Sequence, residues 1–410
     1  MAEHAGKPKV RFAGFTETWE QRKVGEYYDF KNGLNKGKEY FGIGTPIVNF
    51  TDVFHLRGIY EKDLKGKVSL TRAEIANFQV KMGDIFFTRT SETIDEIGFP
   101  SVMLDEPKDT VFSGFVLRGR ALQDDPLTLQ FKRYVFFTDA FRKEMVKKSS
   151  ITTRALTSGT AIKNMEFVFP KNKKEQEFIG NFFRHLDRLI TLHQRKRGRL
   201  ENIKKAMLEK MFPKNGADVP EVRFAGFTEA WEQRKLGDLA EFNPKAELPT
   251  NFEYVDLESV VGTELINHRT QTKCTAPSRA QRLAQYGDLF YQLVRPYQKN
   301  NYLFELNSEN FVFSTGYAQL RPSVDGYFLM SLVQNEYFVQ KVLDNCTGTS
   351  YPAINVNDLA EINIYTSLKK SEQARIGTFF RQLDRLVTLH QRKVALLQNI
   401  KKACLEKMFV

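Results

Sequence analysis

The sequence EQEFIGNFFRHLDRLITLHQRKRGRLENIKKAMLEKMF at residues 175–212 recurs as EQARIGTFFRQLDRLVTLHQRKVALLQNIKKACLEKMF at residues 372–409. The two stretches are identical at 28 of 38 positions and lie 197 residues apart. Unrelated segments of one chain do not reach such identity by chance. The sequence therefore contains two copies of one structural unit.

Both stretches have the apolar periodicity of long helices. Apolar residues recur in alternating steps of three and four, and no proline interrupts either stretch. A helix of this length extends roughly 57 Å. We expect the two helices to pair antiparallel along this seam. Its residues are Ile179, Phe183, Leu186, Ile190, His193, Arg197, Leu200, Lys204, Met207 and Met211 in the first copy, and Ile376, Phe380, Leu383, Val387, His390, Val394, Leu397, Lys401, Cys404 and Met408 in the second.

Two histidines occupy equivalent seam positions near the middle of the helices. Antiparallel pairing predicts that His193 lies close to His390. We interpret them as a packed pair in the helix seam. A metal site or a proton switch is the alternative, which the sequence favours less because no further histidine or carboxylate cluster accompanies them.

A shorter repeat precedes each block of unlike sequence. VRFAGFTETWEQRKVG at residues 10–25 and VRFAGFTEAWEQRKLG at residues 222–237 are identical at 14 of 16 positions. The blocks that follow, residues 26–170 and 238–368, show little similarity to each other. Repeated segments that enclose two dissimilar blocks favour one scaffold that presents two recognition surfaces. The chain start KPKVRFAGF also resembles the end of the linker PKNGADVPE at 213–221, which predicts that the N-terminus lies beside the end of the second helix.

The charge of the chain is concentrated in the long repeats. The 410 residues include 61 Lys+Arg and 49 Asp+Glu, for a net charge of +12. Residues 171–212 carry 12 − 5 = +7 and residues 369–409 carry 10 − 3 = +7, so the rest of the chain nets −2. This excess favours an anionic partner, with nucleic acid before a membrane surface. A solvated helix face, or a docking face for an acidic protein, is the alternative.

Cysteine content and hydropathy exclude several protein classes. Cys274, Cys346 and Cys404 are far apart, which argues against a disulfide framework or a zinc site. No apolar run approaches the roughly 18 residues of a membrane span, and the first residues lack the apolar core of a signal peptide. These features predict a cytoplasmic protein with no membrane partner.

The two variable blocks mix short β-rich runs with helical stretches, which predicts an α+β fold for each. We expect helices at Asp139–Lys147 and Phe328–Asp344. The predicted strands are Gly83–Thr88, Val111–Leu117, Phe131–Thr138, Gly287–Val294 and Phe311–Thr315.

Polar residues follow a GD-[IL]-F element that both blocks share. Arg, Gln and Asn are the side chains that bind guanine and adenine edges bidentately. A turn rich in Gly, Thr and Ser ends each block, TSGTAI at 157–162 and TGTSYPAI at 347–354, and either contacts phosphates or forms a tight turn before a strand. The candidate DNA-binding residues are Lys81, Thr88, Arg89, Thr90, Ser91, Thr152, Thr153, Arg154, Ser158, Thr160, Lys163, Gln292, Arg295, Tyr297, Gln298, Lys299, Asn300, Thr349, Ser350 and Tyr351.

No catalytic motif is evident in the sequence. It lacks a P-loop, a G-x-G-x-x-G fingerprint, an amino-methyltransferase N/D-P-P-Y/F motif and the H-E-x-x-H of zinc hydrolases. The tripeptides at 63–65 (DLK) and 106–108 (EPK) match a D/E-x-K nuclease fragment, but a lysine-rich chain contains such tripeptides by chance. The sequence therefore predicts a binding protein that depends on other subunits for catalysis, with no catalytic residue and no metal site of its own.

The repeated motifs resemble the specificity subunit of type I restriction–modification enzymes. The duplicated WEQRK segment (Trp19–Glu26 and Trp231–Asp238), the duplicated helix and the two turns before it carry the resemblance. It covers the whole chain in architecture, although its specific motifs lie only in the repeated regions. It implies an α+β fold with two globular α/β target recognition domains, separated by two long antiparallel coiled-coil helices with pseudo-two-fold symmetry. The implied boundaries are 1–170 and 214–368 for the recognition domains and 171–213 and 369–410 for the spacer helices.

The same resemblance implies function and partners. Each recognition domain would read one half of a bipartite double-stranded DNA site, and the helices would set the distance between the halves. Two methylation subunits with S-adenosylmethionine, and two restriction subunits that use ATP and Mg²⁺, would supply the chemistry. The helix surface for pairing and for the methylation subunits would comprise Phe182, Phe183, Leu186, Leu189, Ile190, His193, Leu200, Phe379, Phe380, Leu383, Leu386, Val387, His390 and Leu397. Among these, Phe182, Leu189, Phe379 and Leu386 lie outside the seam, so we expect either a partner subunit or the chain's own domains to cover them.

Two other functions stay open at the level of the sequence. The first is a self-contained nuclease that uses Asp63 or Lys65. The second is a scaffold whose basic helices bind only proteins. Strong salt dependence of DNA binding, with base discrimination by Arg89 or Arg295, would exclude the scaffold.

Overall fold

The computed structural model describes residues 6–54, 56–151, 154–214, 216–348 and 350–410. The chain divides into two compact units, which are Met1–Leu192 with Lys393–Val410, and His193–Arg392. Each unit contains one variable block, one short repeat and parts of both long helices. No helix among the described residues is long and apolar enough to cross a membrane.

The first unit begins with mixed strands and short helices. Its strands are β1 (Glu20–Lys23), β2 (Tyr28–Asn32), β3 (Phe41–Val48), β4 (Gly58–Ile59), β5 (Lys67–Val68), β6 (Ile85–Thr88), β7 (Thr90–Ser91), β8 (Pro100–Met103), β9 (Val111–Phe112), β10 (Val116–Ala121), β11 (Ser150–Ile151), β12 (Ala155–Leu156) and β13 (Glu166–Phe169). Its helices are α1 (Phe50–Val53), α2 (Arg72–Phe78), α3 (Leu129–Val135), α4 (Asp139–Lys148), α5 (Gly159–Lys163) and α6 (Lys173–Lys210), of which α6 continues into the second unit.

The strands of the first unit form four small sheets. The largest has the order β2-β10-β6-β8-β4, and its neighbours are antiparallel except for β4 and β8. Two three-stranded sheets have the orders β11-β12-β7 and β5-β3-β9, and β1 pairs with β13. The core between the largest sheet and α3, α4 and α6 contains Phe87, Phe131, Phe136 and Phe183.

The second unit has a comparable set of elements. Its strands are β14 (Glu232–Lys235), β15 (Ala240–Phe242), β16 (Asn251–Val255), β17 (Val260–Val261), β18 (Glu264–Leu265), β19 (Arg269–Thr272), β20 (Ala280–Leu283), β21 (Leu289–Gln292), β22 (Tyr302–Leu303), β23 (Phe311–Ser314), β24 (Tyr317–Pro322) and β25 (Asn363–Thr366). Its helices are α7 (Gly326–Gln334), α8 (Glu336–Asp344), α9 (Val356–Glu361) and α10 (Lys370–Met408), of which α10 continues into the first unit.

The sheets of the second unit partly match those of the first. The order β15-β24-β21 corresponds to β2-β10-β6, and β14 pairs with β25 as β1 pairs with β13. A second sheet also matches, since β16 pairs antiparallel with β19 and parallel with β23, as β3 pairs antiparallel with β5 and parallel with β9. The units differ in β20, which joins this sheet only in the second unit, and in the small sheets β11-β12-β7 and β17-β18. Much of the strand pairing is therefore shared by the two blocks, although their sequences differ.

The structure corrects the prediction of a strand at Phe131–Thr138, because this segment contains helix α3 (Leu129–Val135). Phe131, Tyr134 and Val135 are buried at helical spacing, a pattern that a short apolar run does not distinguish from a strand. Lys132, which is also buried, forms an ion pair with Asp125.

The structure also divides the predicted helix Phe328–Asp344 into α7 and α8. The break lies at Asn335, whose side chain accepts the backbone N–H of Phe338 at 2.7 Å and so caps α8. The run Val111–Leu117 is likewise two strands, β9 and β10, separated by a turn. The predicted helix Asp139–Lys147 is confirmed as α4.

The long repeats form the helices α6 and α10, as predicted. Their seam is the buried face, since Ile179, Phe183, Ile376 and Phe380 are almost fully buried. In the second unit, His193 contacts His390 and Lys204 forms an ion pair with Asp384 at 2.5 Å. From the first of these contacts to the second, the residue number rises along α6 and falls along α10, so the helices run antiparallel in this unit.

The first unit shows the same antiparallel arrangement of the helices. Phe183 packs on Phe409, and Asp187 accepts a hydrogen bond from Lys401. Lys401 and Asp187 thus repeat the contact of Lys204 and Asp384, each at its own half of the helix pair. The contacts of the seam are duplicated along with its sequence.

The two seam histidines are in direct contact, as predicted from their positions. The Nδ1 atoms of His193 and His390 are 2.9 Å apart and the ring centroids are 5.0 Å apart. One ring therefore donates the hydrogen bond and the other accepts it. Among the described residues, no group of three or more His, Cys, Asp or Glu side chains is placed to hold a metal ion.

A buried glutamate links each short repeat to the start of a long helix. Glu175 accepts two hydrogen bonds from the Arg11 guanidinium at 2.6 and 2.8 Å and one from the Trp19 indole at 3.3 Å. Glu372 accepts the equivalent bonds from Arg223 and Trp231 at 2.6, 2.8 and 3.2 Å. Both glutamates are almost fully buried. These interactions, here called the Glu–Arg–Trp clamps, explain why the Arg and Trp of the short repeat accompany the long helix.

Each short repeat also contacts the end of the other long helix. The Val222 N–H donates to the Lys210 carbonyl at 2.9 Å, and the Val10 N–H donates to the Lys407 carbonyl at 2.9 Å. The N-terminal segment therefore follows α10 as the linker follows α6. For the described residues from Gly6 onwards, this contact agrees with the prediction that the start of the chain lies beside the end of the second helix.

We predict that Arg223→Met destabilises the chain by about 3–5 kcal/mol, because it leaves the buried Glu372 carboxylate without its cation. The free energy of unfolding, measured by urea titration, tests this value. Arg234→Met is the matched control, since Arg234 lies in the same short repeat but forms an exposed ion pair with Glu232. Equal losses of stability in the two variants would contradict the role of the clamp.

The clamp also predicts a dependence of stability on pH. Burial acts to raise the pKa of Glu372, but hydrogen bonds from Arg223, Ser367 and Trp231 outweigh it, so the pKa lies below its ordinary value of 4.5. A carboxylate with a lowered pKa stabilises the fold above its unfolded pKa, and this stabilisation is lost as the pH falls through the folded pKa. We expect Glu372→Gln to lower the free energy of unfolding at pH 7 and to matter progressively less below about pH 4.5. A difference between variant and wild type that is unchanged from pH 7 to pH 3 would contradict this.

Candidate nucleic-acid interface

An ion pair between a turn and a neighbouring strand braces the shared GD element in each unit. Asp84 accepts hydrogen bonds from Arg120 at 2.6 and 2.7 Å and from the Lys81 N–H at 2.8 Å. Asp288 accepts the equivalent bonds from Arg321 at 2.9 and 3.0 Å. These bonds fix the turn that leads into β6 or β21 and hence the place where that strand ends.

Sequence reasoning missed these braces. The aspartate was visible in the shared GD element, but its partners come from strands more than thirty residues later. The arginines also lie in segments that differ between the blocks, LRGRA at 117–121 and QLRPS at 319–323. An alignment of these two segments would have placed Arg120 and Arg321 at equivalent positions.

The segment after β6 carries two half-buried candidates of the first unit, Arg89 and Thr90. Arg89 is half-buried, and its side chain makes one long contact with the described residues, 3.5 Å from Nη1 to the Gly114 carbonyl. Thr90 is half-buried and pairs with Leu156 of β12. The guanidinium of Arg89 has no carboxylate partner among the described residues, so it is available to an anionic ligand.

Two candidates in this segment are structural instead. Thr88 is buried, donates its hydroxyl to the Glu96 carbonyl at 3.1 Å and accepts the Phe99 N–H at 2.8 Å. Ser91 is buried and donates to the Glu96 carboxylate at 2.9 Å. Both side chains hold the loop that follows β6, and their hydroxyls are used within the protein.

The corresponding loop of the second unit is strained and aromatic. Arg295 has φ 55°, a left-handed conformation that is unusual for a residue other than glycine and occurs most often at functional sites. Its guanidinium lies 4.5 Å from the centre of the exposed Tyr351 ring, and its N–H donates to the Pro352 carbonyl at 2.8 Å. Tyr297 and Gln298 are exposed on the same loop. Arginine and aromatic rings are thus presented together.

The other polar candidates of this loop hold its shape. Gln292 is buried and donates to the Val294 carbonyl at 2.6 Å and to the Gln298 side chain at 3.0 Å. Lys299, also at φ 55°, donates to the Gln334 carbonyl at 2.9 Å. Asn300 accepts the Gly262 N–H at 2.8 Å. The hydrogen bonds of these side chains stabilise the conformation of the loop.

The turns before the long helices adopt helical and bridged structures. Ser158 caps α5 by accepting the Ala161 N–H at 3.1 Å, Thr160 is exposed within α5, and Lys163 forms an ion pair with Asp29 at 2.6 Å. Arg154 and Ser350 are exposed, as is Lys81, which lies at the turn before β6. The candidates Thr152, Thr153 and Thr349 lie outside the described residues.

Each turn meets the end of the GD strand in the same way. The Thr157 N–H donates to the Arg89 carbonyl at 3.0 Å in the first unit. In the second, the Ile354 N–H donates to the Leu293 carbonyl at 3.1 Å. Two segments that the sequence placed far apart therefore form one surface in each unit, here called the candidate reading surfaces.

The outer faces of the long helices are partly covered by the chain itself. Phe182 and Phe379 are half-buried and pack on Phe12 and Phe224 of the short repeats, with ring centroids 6.0 and 6.1 Å apart. Of the two expectations from the sequence, coverage by the chain's own residues is therefore the correct one for Phe182 and Phe379. Leu189 and Leu386 stay exposed, and so do Leu192, Leu389, Ile203 and Ile400 at equivalent positions of the two copies.

The two nuclease-like tripeptides do not form an acidic centre. Asp63 and Lys65 are exposed. Within the described ranges, Glu106 accepts only the Met82 N–H, at 3.2 Å. Neither tripeptide belongs to a metal-holding group among the described residues.

Comparison with protein families identifies the second half of the chain. Residues 228–399 match the model of the type I restriction modification DNA specificity domain. The first half has the same short repeat, long helix, clamp and brace. In sequence, the chain is 23% identical over 195 residues to the HindI specificity subunit of a type I restriction enzyme from Haemophilus influenzae. That match covers 44% of this chain and spans only 41% of the length of the relative.

Solved structures share the fold over nearly the full chain. The S subunit of a type I restriction–modification system from M. genitalium has a TM-score of 0.59 at 15% identity, covering 98% of this chain and 99% of that one. A chain from a type I restriction–modification system, solved to explain its complex assembly and conformational transition, has a TM-score of 0.52 at 17% identity and covers 98% of both. Residues 228–399 thus match the DNA specificity domain family, and over nearly its full length the chain is similar in fold to specificity subunits of type I restriction–modification systems.

Proposed function

We propose that this chain reads a bipartite, asymmetric double-stranded DNA site, with one candidate reading surface for each half. The observation that carries the proposal is that both surfaces have the same backbone support but present different side chains. Arg89 and Thr90 are presented in the first unit, and Arg295, Tyr297 and Tyr351 in the second. One frame with two unlike surfaces suits a site whose halves differ in sequence.

Residues 1–170 and 214–368 act as the two target recognition domains in this proposal, and the helices at 171–213 and 369–410 act as the spacer. Arginine next to polar side chains suits base edges in the major groove, and Tyr351 adds an aromatic face. Half-sites separated by about one turn of DNA, roughly 34 Å, suit a spacer of this kind. The basic residues of the helices contribute long-range attraction to the phosphates.

The chemistry belongs to partner subunits in this proposal. Two methylation subunits bring S-adenosylmethionine, and two restriction subunits bring ATP-dependent and Mg²⁺-dependent activity, while this chain contributes recognition alone. The exposed leucines Leu189 and Leu192 on α6, and Leu386 and Leu389 on α10, each form a docking face for a methylation subunit, because apolar side chains repeated on one face of a helix suit a protein partner. All three cysteines are free, which is consistent with the reducing cytoplasm, where such a complex would meet DNA.

We predict that exchanging residues 26–170 for the equivalent block of another specificity subunit changes one half of the recognised site only. The reason is that Arg89 and its surface lie wholly inside that block, whereas Arg295 and Tyr351 lie outside it. Sequencing of methylated sites in DNA treated with the assembled complex gives the result. The control exchanges residues 238–368, which should change the other half. A change of both halves in either exchange would contradict the proposal.

We predict that Leu189→Asp combined with Leu386→Asp weakens binding of the methylation subunits by at least tenfold, because each charge would be buried against an apolar partner surface. Titration of the complex by size-exclusion chromatography with light scattering measures this loss. The control is Arg188→Asp combined with Arg385→Asp, at the adjacent exposed positions of the same helices. If the leucine variant assembles as well as wild type, these leucines do not form the docking face.

A further inference from the structure

Exposed apolar side chains surround Arg89 in the first candidate reading surface. Phe115 is 58% exposed, Ile151 is 65% exposed and Leu156 is 39% exposed. None of the three was a candidate at the level of the sequence. Large apolar side chains that are exposed to solvent beside an arginine indicate a binding partner that buries them.

The backbone places all three residues around the Arg89–Thr90 segment. The Arg89 N–H donates to the Phe115 carbonyl at 3.0 Å, so Phe115 lies on one side of this segment. Leu156 pairs directly with Thr90 on the other side, and β12 pairs in turn with β11, which contains Ile151. The three apolar residues are therefore part of the candidate reading surface, held by hydrogen bonds to its central strand.

The charges on this surface indicate what kind of molecule covers it. Arg89 pairs through its backbone with Phe115, Lys147 and Arg154 flank β11 along the chain, and none of the three cations has a carboxylate partner among the described residues. Lys147 and Arg154 are exposed on either side of β11. Unpaired cations around an apolar centre favour a partner with anionic edges and apolar groups between them. Duplex DNA has this arrangement in its major groove, where phosphates flank the 5-methyl groups of thymine.

We propose that Phe115, Ile151 and Leu156 contact thymine 5-methyl groups in the half-site that the first recognition domain reads. This inference rests on the proposed function and goes further by naming the chemical group recognised. The second reading surface differs, since its exposed large side chains are Tyr297 and Tyr351. The first half-site is thus read through methyl contacts in addition to the hydrogen bonds of Arg89.

Replacement of thymine by deoxyuridine removes the methyl group and leaves the Watson–Crick pair intact. The experiment uses the full chain assembled with its methylation subunits, on DNA whose half-sites have been assigned by sequencing of methylated sites. We expect single deoxyuridine substitutions in the first half-site to weaken binding by about fourfold for each contacted methyl group. Substitutions in the second half-site serve as the internal control for the same complex.

Variants of the apolar residues connect the methyl effect to these side chains. Phe115→Ala and Ile151→Ala should weaken binding to thymine-containing DNA and remove the sensitivity to deoxyuridine in the first half-site. Leu122→Ala is the matched control, because Leu122 is 57% exposed in the same domain but follows the far end of β10. It should keep the full deoxyuridine effect. Unchanged melting temperatures would show that the variants are folded.

The possible results of these experiments distinguish this inference from the proposed function on which it rests. A complex that shows no preference between DNA sequences would overturn the proposed function itself. Sequence-specific binding that is indifferent to deoxyuridine, or variants that keep the wild-type sensitivity, would overturn the methyl contact alone. Increased 2-aminopurine fluorescence next to the first half-site, lost in Ile151→Ala, would also overturn it, because the side chains would then insert between base pairs.

Discussion

The buried carboxylate of each Glu–Arg–Trp clamp is the interaction on which the frame depends. A glutamate buried away from solvent is tolerated only when hydrogen-bond donors pair with its carboxylate. For Glu372 these donors are the Arg223 guanidinium and the Trp231 indole. Both donors come from the short repeat, whereas the acceptor opens a long helix. The clamp therefore joins two segments separated by a whole variable block, and it holds them together whatever the block between them contains.

This constraint explains which parts of the sequence are alike. The clamp, the Asp–Arg brace and the contacts of the helix seam recur in both units with the same residue types. Between them the sheets are related but not identical, since β19-β16-β23 matches β5-β3-β9 while β20 and the small sheets β11-β12-β7 and β17-β18 are particular to one unit. A frame closed by its own buried polar contacts leaves the blocks free to vary in sequence and in these additional strands.

The sequence predicted what depends on periodicity and missed what depends on distant pairing. The seam of α6 and α10, and the contact of His193 with His390, follow from counting along a helix. The segment at Phe131–Thr138 was wrongly predicted as a strand, because a short apolar run has no period that decides between the two structures. The site was predicted as two separate segments in each block. Only the fold shows that Arg89 and Thr157, or Arg295 and Tyr351, belong to one surface.

The candidate polar residues also separate into two roles that residue type alone does not distinguish. Thr88 and Gln292 are as suited to DNA as Thr90 and Gln298, yet the first two are buried and use their hydrogen bonds within the loop. A loop that must present an arginine at a strained φ, as at Arg295, needs such support, because strain persists only where surrounding contacts over-determine it. The buried polar side chains therefore set the position of the exposed ones, and an exchange of specificity needs both sets to move together.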